Sequence, residues 1–278
     1  MLLVPSGSDP TSAEEQRDRE RQLIAVLDRQ GPFEALSSLV YALQPQPQSI
    51  LLQDTAIALD ANVFLRLSSH PKSADITDYF ASAHVAPLIL PGQVIQEFWN
   101  NQLQAVDSIA SGLRKKFEQL KSDVARVDTA FGGFAEEFGG LLDKFSGDYG
   151  YVYDEGTIRR THALLEVIQR KAVVPYAPRL LFCDIAAQRK RTRTPPGFRD
   201  DGDGDFYVWV DLLAGLQQSK ATGQDFARVA LVSHDRKLDW TREGVAHPIL
   251  MAEIRALFGV PFEIWSIQRL VEEVASLT

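Results

Sequence analysis

The chain of 278 residues contains a single cysteine, Cys183, and that scarcity removes two classes of protein at once. One thiol can neither close an intrachain disulfide nor supply a zinc site by itself, so a stapled secreted scaffold and a cysteine-rich zinc module are both excluded. Apolar neighbours at Leu180, Leu181 and Phe182 predict that Cys183 serves as a small core filler. Long hydrophobic runs are missing too. No uninterrupted apolar stretch approaches the ~18–20 residues of a membrane span, and Met1-Leu2-Leu3-Val4 is broken by Pro5 before a signal-peptide core could form. The expectation is a soluble, cytoplasmic protein with no membrane partner. Positive charge is also in deficit. With 29 Lys and Arg against 37 Asp and Glu, the formal net charge of -8 argues against holding nucleic acid through the overall field and leaves that work to local basic patches.

What is present is a hydrophobic content of 45%, enough for a sizeable core in one large domain or two small ones. Residues 6–22 are polar, and then Leu23, Ile24, Val26 and Leu27, followed by Phe33, Leu36, Leu39, Val40 and Leu43, recur at helical spacing. Gln44-Pro45-Gln46-Pro47-Gln48 reads as a linker, because each proline biases its predecessor away from helix. Residues 1–48 are therefore expected to form a helical arm, packing on the main domain or on a partner, ahead of a main domain at 49–278. Within that domain, Ile57-Ala58-Leu59 and Ala86-Pro87-Leu88-Ile89-Leu90 are expected as buried strands separated by a helix at 76–85, a β-α-β rhythm. Ala227 to Ser233 predicts a third strand and Pro261 to Trp265 a fourth. The fold class is thus α/β, a central parallel sheet flanked by helices. From about 100 to 175 no strand is evident, and periodic apolar positions predict a helical insertion.

Acids stand at the ends of these elements. Asp60 follows the first strand, Glu97 lies in the helix opened by Pro91, Asp205 starts an apolar helix after a glycine-rich loop, and Asp235 follows the third strand. In open α/β sheets ligands bind beyond the carboxyl ends of the strands. A lone aspartate there is more often a helix cap, which is the plain reading of Asp60 taken singly. Several carboxylates without a His/Cys set suit a hard cation such as Mg2+ or Mn2+ better than zinc. Clustered without a cation, they would repel one another.

This order, Asp60 with Asn62, then Glu97, Asp205 and Ser233-His234-Asp235, resembles the PIN-domain nucleases. Pro195-Pro196-Gly197-Phe198, Gly204-Asp205, the run from Ser233 to Trp240, and His247-Pro248 look like the larger bacterial PIN-like proteins with a helical insert, over roughly residues 55–270. The resemblance implies a Mg2+- or Mn2+-dependent endoribonuclease, with RNA as substrate and single-stranded DNA left open. Asp60, Glu97, Asp205 and Asp235 would be both the metal ligands and the catalytic acids. Asn62 and Ser233 would orient those carboxylates and the attacking water. Arg189, Arg191, Arg193, Arg236 and Lys237 are candidates for substrate phosphate, against a solvated basic helix end for the first three and simple balancing of the acids for Arg236 and Lys237. Asp200, Asp201, Asp203 and Asp239 are further acids that could supplement the site. Trp99, Trp209 and Trp265 sit in apolar periodic stretches and are expected in the core. Two rivals are a non-cleaving PIN-like scaffold and a haloacid-dehalogenase-type phosphatase. The latter needs an aspartate where Asn62 stands. A homo-oligomer or an inhibitory protein partner is left open.

Overall fold

The structure is a computed structural model that describes residues 10–44, 50–102, 155–234 and 237–277, with isolated positions between 116 and 140. Most of the expected helical insertion, the proline linker at 45–48, and the pair Asp235 and Arg236 lie outside the described residues.

Strands β1 (Thr55–Leu59) and β2 (Leu88–Ile89) are joined through helices α3 (Phe64–Ser69) and α4 (Ser73–Asp78). Helices α5 (Gly92–Glu97), α6 (Glu155–Lys171), α7 (Arg179–Arg191) and α8 (Gly204–Ala221) precede β3 (Arg228–Val232). A short antiparallel hairpin of β4 (Thr241–Arg242) and β5 (Val245–Ala246) then leads to helix α9 (Pro248–Phe258), strand β6 (Phe262–Trp265) and helix α10 (Ile267–Ala275). The main sheet is parallel with strand order β2-β1-β3-β6. Ile57 pairs with Leu88 on one side and with Ala230 on the other.

Every residue of β1 and β3 is buried, as expected for strands covered on both faces, where alternation is unnecessary. Helix α8 is apolar around most of its circumference and is correspondingly enclosed, with Trp209 edge-on to Trp240 and Phe262 at 6.1 and 5.1 Å between centroids. Chain entering β1 turns one way to β2 and reaches β3 on the other side, so the crevice between β1 and β3 is a topological switch point. Asp60 and Ser233 stand at that crevice. The sheet is held together there by Asp60 N–H to the Val232 carbonyl and Ser233 N–H to the Trp265 carbonyl, each at 3.0 Å.

The arm divides in two. Helix α1 (Pro10–Leu27) packs on α8 and α9 and buries Leu23 and Leu27 in the main core. Helix α2 (Ala35–Leu43) also lies on α9, yet Leu36, Val40 and Leu43 face solvent. Three sequence expectations are corrected by burial. Cys183 is exposed, because it lies on the solvent side of α7 while Phe182 takes the core position. Trp99 is 70% exposed in the π-helical turn Phe98–Gln102, whereas Trp209 and Trp265 are buried as expected. Arg189 is 3% exposed and faces inward.

Candidate functional site

Asp60 is held from both neighbouring segments. Its Oδ1 accepts the Ala61 N–H at 2.6 Å, while Oδ2 accepts Asn62 Nδ2 at 2.8 Å and the Ser233 hydroxyl at 2.6 Å. Asn62 closes the arrangement by accepting the His234 N–H on Oδ1 at 2.8 Å. The cap expected from the sequence is therefore real, since Asp60 opens the 3-10 turn Ala61–Val63. It is also more than a cap, because a helix start needs no hydroxyl from a residue 173 positions away. Asn62 and Ser233 together restrain the Asp60 carboxylate.

Glu97 ends α5 and accepts Gln93 Nε2 at 3.2 Å. Burial, and then the charges of Asp60 and Asp205, push its carboxyl up to about 7, although the Gln93 hydrogen bond and the Lys237 charge pull the other way. Three carboxyls from three elements thus share one field. Asp205, in the first turn of α8, is itself pushed up to about 6, by burial first, against the opposing hydrogen bond from Trp240 and charge of Lys237. Its Oδ2 accepts Trp240 Nε1 at 2.8 Å and Lys237 Nζ at 3.2 Å. The same ammonium lies 2.5 Å from Asp200 Oδ2. Burial works against ionising Asp200, but the hydrogen bonds from Lys237 and from the Asp205 carboxyl outweigh it and hold Asp200 below the usual carboxylate range.

The α8 start brings Glu97 and Asp205 together because residue 204 is glycine. A Cβ there would stand 2.6 Å from Glu97 Oε1. Gly197, at φ +82°, sits over the Asp205 backbone, where a Cβ would meet Asp205 Cβ at 3.1 Å, and its N–H is accepted by Asp239 Oδ2 at 3.0 Å. The loop expected to be turn-rich is in this way folded onto the acid it delivers.

Among the described residues no three His, Cys, Asp or Glu side chains converge as ligands of one ion. That geometric result and the mutual repulsion at Glu97 concern different distances, because charges act well beyond ligation range; the fourth acid, Asp235, lies outside the described residues. Arg191 and Arg193 are exposed at the end of α7, and Arg236 lies outside the described residues. Arg189 is not a surface group for phosphate. It forms a buried pair with Glu253, at 2.7 Å between Nη1 and Oε1, and donates to the Pro195 carbonyl, while Trp209 Nε1 completes the Glu253 carboxylate at 2.6 Å. Asp203 faces Lys190 at 3.9 Å, and Asp201 is exposed.

Two supporting carboxylates escaped the sequence reading. Asp211, fully buried in α8, takes Arg179 at 2.6 and 2.8 Å and the N–H groups of Gln93 and Ala177 at 2.9 and 2.8 Å, which anchors the start of the helix that carries Glu97. Glu253 does the comparable work for the Pro195 loop. Each sits inside an apolar helical stretch, Val210-Asp211-Leu212 and Ala252-Glu253-Ile254, and a lone acid there is a legible sign of a buried pair. Beside Ser233 opens a cavity of about 520 Å³ bordered by His234, Leu238, Arg242 and Ile264. No family model, curated protein or solved structure matches the chain, so its reading rests on this geometry.

Proposed function

We propose that this chain is a PIN-like, metal-dependent endoribonuclease. The observation that carries the reading is the convergence of Asp60, Glu97 and Asp205: carboxyls from three separate elements are folded to one sheet edge, where the charges of Asp60 and Asp205 add to burial in raising the proton affinity of Glu97. Such an arrangement costs stability unless a cation offsets it, and its all-oxygen donor set suits Mg2+ or Mn2+. Asp60, Glu97 and Asp205, with Asp235, would hold the ion. When bound, it would supply the positive charge that makes water a nucleophile at neutral pH and offsets charge on the leaving oxygen.

The chain's own groups do the rest. Asn62 and Ser233 lock the Asp60 carboxylate in one rotamer, and Trp240 does the same for Asp205. Lys237 would supply positive charge to a phosphodiester beside Asp205, Arg236 being a further candidate from the sequence alone, and the cavity beside Ser233 has room for a flanking nucleotide. In the reaction the water oxygen bonds to phosphorus, the P–O3′ bond breaks, and O3′ leaves with a proton, giving a 5′-phosphate and a 3′-hydroxyl. Phosphatase chemistry of the haloacid-dehalogenase type is disfavoured, because Asn62 donates to Asp60 and has no acid proton to give. The test is cleavage of an RNA oligonucleotide in Mn2+, with single-stranded DNA and p-nitrophenyl phosphate as competitors. Asp60→Asn and Asp205→Asn should each lose roughly 100-fold or more of the activity. Full activity in either variant overturns the reading, and tight RNA binding without cleavage in the wild type assigns the non-cleaving scaffold instead.

A further inference from the structure

Asp205 Oδ2 receives two donors of unlike character. Trp240 is 5% exposed, wedged against Trp209, and its indole N–H cannot leave without unpacking the core. Lys237 is different. Its side chain is 36% exposed, its ammonium sits on a flexible four-carbon stem, and it spans Asp200 Oδ2 at 2.5 Å and Asp205 Oδ2 at 3.2 Å. The same positive charge acts on Glu97. An ammonium placed among carboxylates does part of the work of a metal ion, and it is the exchangeable part of the Asp205 environment.

Resting on the metal-dependent reading above, we propose that Lys237 is a resident counter-ion, displaced from Asp205 when a divalent cation binds and thereby delivered to the substrate phosphate. In the ion-free protein the lysine neutralises carboxylates that would otherwise repel. A divalent cation takes over that charge compensation, and the ammonium swings outward on its stem. Loading the site therefore also presents a cation to RNA, which couples ion binding to substrate binding through one side chain. Lys190 provides the contrast. It carries the same charge and touches the same loop, through the Asp201 carbonyl and Asp203 at 3.9 Å, but it has no contact with Asp205.

The experiment is titration of the full-length protein with Mn2+, by calorimetry and by quenching of tryptophan fluorescence, in wild type, Lys237→Met and Lys190→Met. Lys237→Met should bind Mn2+ about tenfold more tightly, since a competitor has gone, while Lys190→Met stays within about twofold. In Mn2+, the KM of Lys237→Met for a single-stranded RNA oligonucleotide should rise about tenfold, opposite in direction to its ion affinity. A merely structural lysine would weaken both. Unchanged or weaker Mn2+ binding in Lys237→Met, an equal gain in Lys190→Met, or an unchanged KM overturns the proposal while leaving the nuclease reading intact. Absence of Mn2+ binding in the wild type and both variants overturns the metal reading itself, and this proposal with it.

Discussion

A hydroxyl and a guanidinium in this chain show how differently two polar side chains can serve one region. Ser233 is 7% exposed and its hydroxyl points at Asp60 Oδ2, so removing it leaves the fold with a small gap and the carboxylate with one restraint fewer. Ser233→Ala is expected to lower RNA cleavage by roughly 10–100-fold, the range for groups that orient metal ligands, with a melting temperature near that of wild type. Arg189 behaves in the opposite way. Arg189→Ala leaves Glu253 charged in the core with only the Trp209 donor, and should lose about 3–5 kcal/mol of stability in urea unfolding. An Arg189→Ala protein that is stable but weak in RNA binding would return Arg189 to the substrate. Ser233 was singled out by the resemblance of the run Ser233-His234-Asp235 to a family pattern. The sequence hid Arg189 within a run of basic residues, because which of several neighbouring cations turns inward depends on the register of α7 against α9, and charge alone carries no register.

At the scale of elements, the short helix α5 and the start of α8 meet across a single missing methyl group. Gly→Ala at a helix start would normally favour helix by up to about 1 kcal/mol. Here the new Cβ would collide with Glu97 Oε1, the far end of a side chain that can yield. Gly204→Ala should therefore melt within a few degrees of wild type yet cut RNA markedly more slowly, and a fully active variant would show that the Glu97 position is unimportant. A second element-scale effect lies in the π-helical turn Tyr79–Ala83 before β2. His84 is packed against Tyr79 and Phe80, with the Tyr79 hydroxyl at 3.0 Å from Nδ1. Burial lowers its pKa to about 4; the Pro87 carbonyl opposes that shift, and Lys171 adds to it. Between about pH 4 and 6.5 the unfolded chain binds a proton on His84 that the folded chain does not, so this group's contribution falls as pH drops through that window. The loss reaches at most ~3 kcal/mol. Glu97 and Asp205, whose carboxyls are raised, contribute slope of the opposite sign. The readout is thus the difference in urea stability between wild type and His84→Phe, which should shift steadily between pH 6.5 and 4 and become constant above pH 7. A difference independent of pH would contradict a buried neutral imidazole.

At the scale of the molecule, the parallel sheet was legible because β1 and β3 are continuous apolar runs ending in polar residues, and their burial on both faces needs no other pattern. The independence of the arm was not. A helix with one apolar face looks the same whether it covers its own domain or another chain, and α1 turns out to contribute Leu23 and Leu27 to the main core. Asp60, Glu97 and Asp205 were legible one by one, through their positions at element ends, while several groups that hold them, Ser233 on Asp60 and Trp240 on Asp205, came from far along the chain.

That distance has a temporal side. Asp60 is made early, but its hydroxyl donor and the strand that aligns with β1 are made some 170 residues later. A ribosome emitting this chain therefore releases β1 with its β3-facing edge unpaired, Ile57 included, until β3 emerges. Closing so large a loop makes assembly slow, and the carboxylate site is among the last features to form. Chains arrested at residue 225 should be protease-sensitive and unable to cut RNA, and a protease-resistant arrested chain would show that β1 has found its place without β3. If the full chain cleaves RNA, such lateness has a use: a growing nuclease stays harmless to the message from which it is being read.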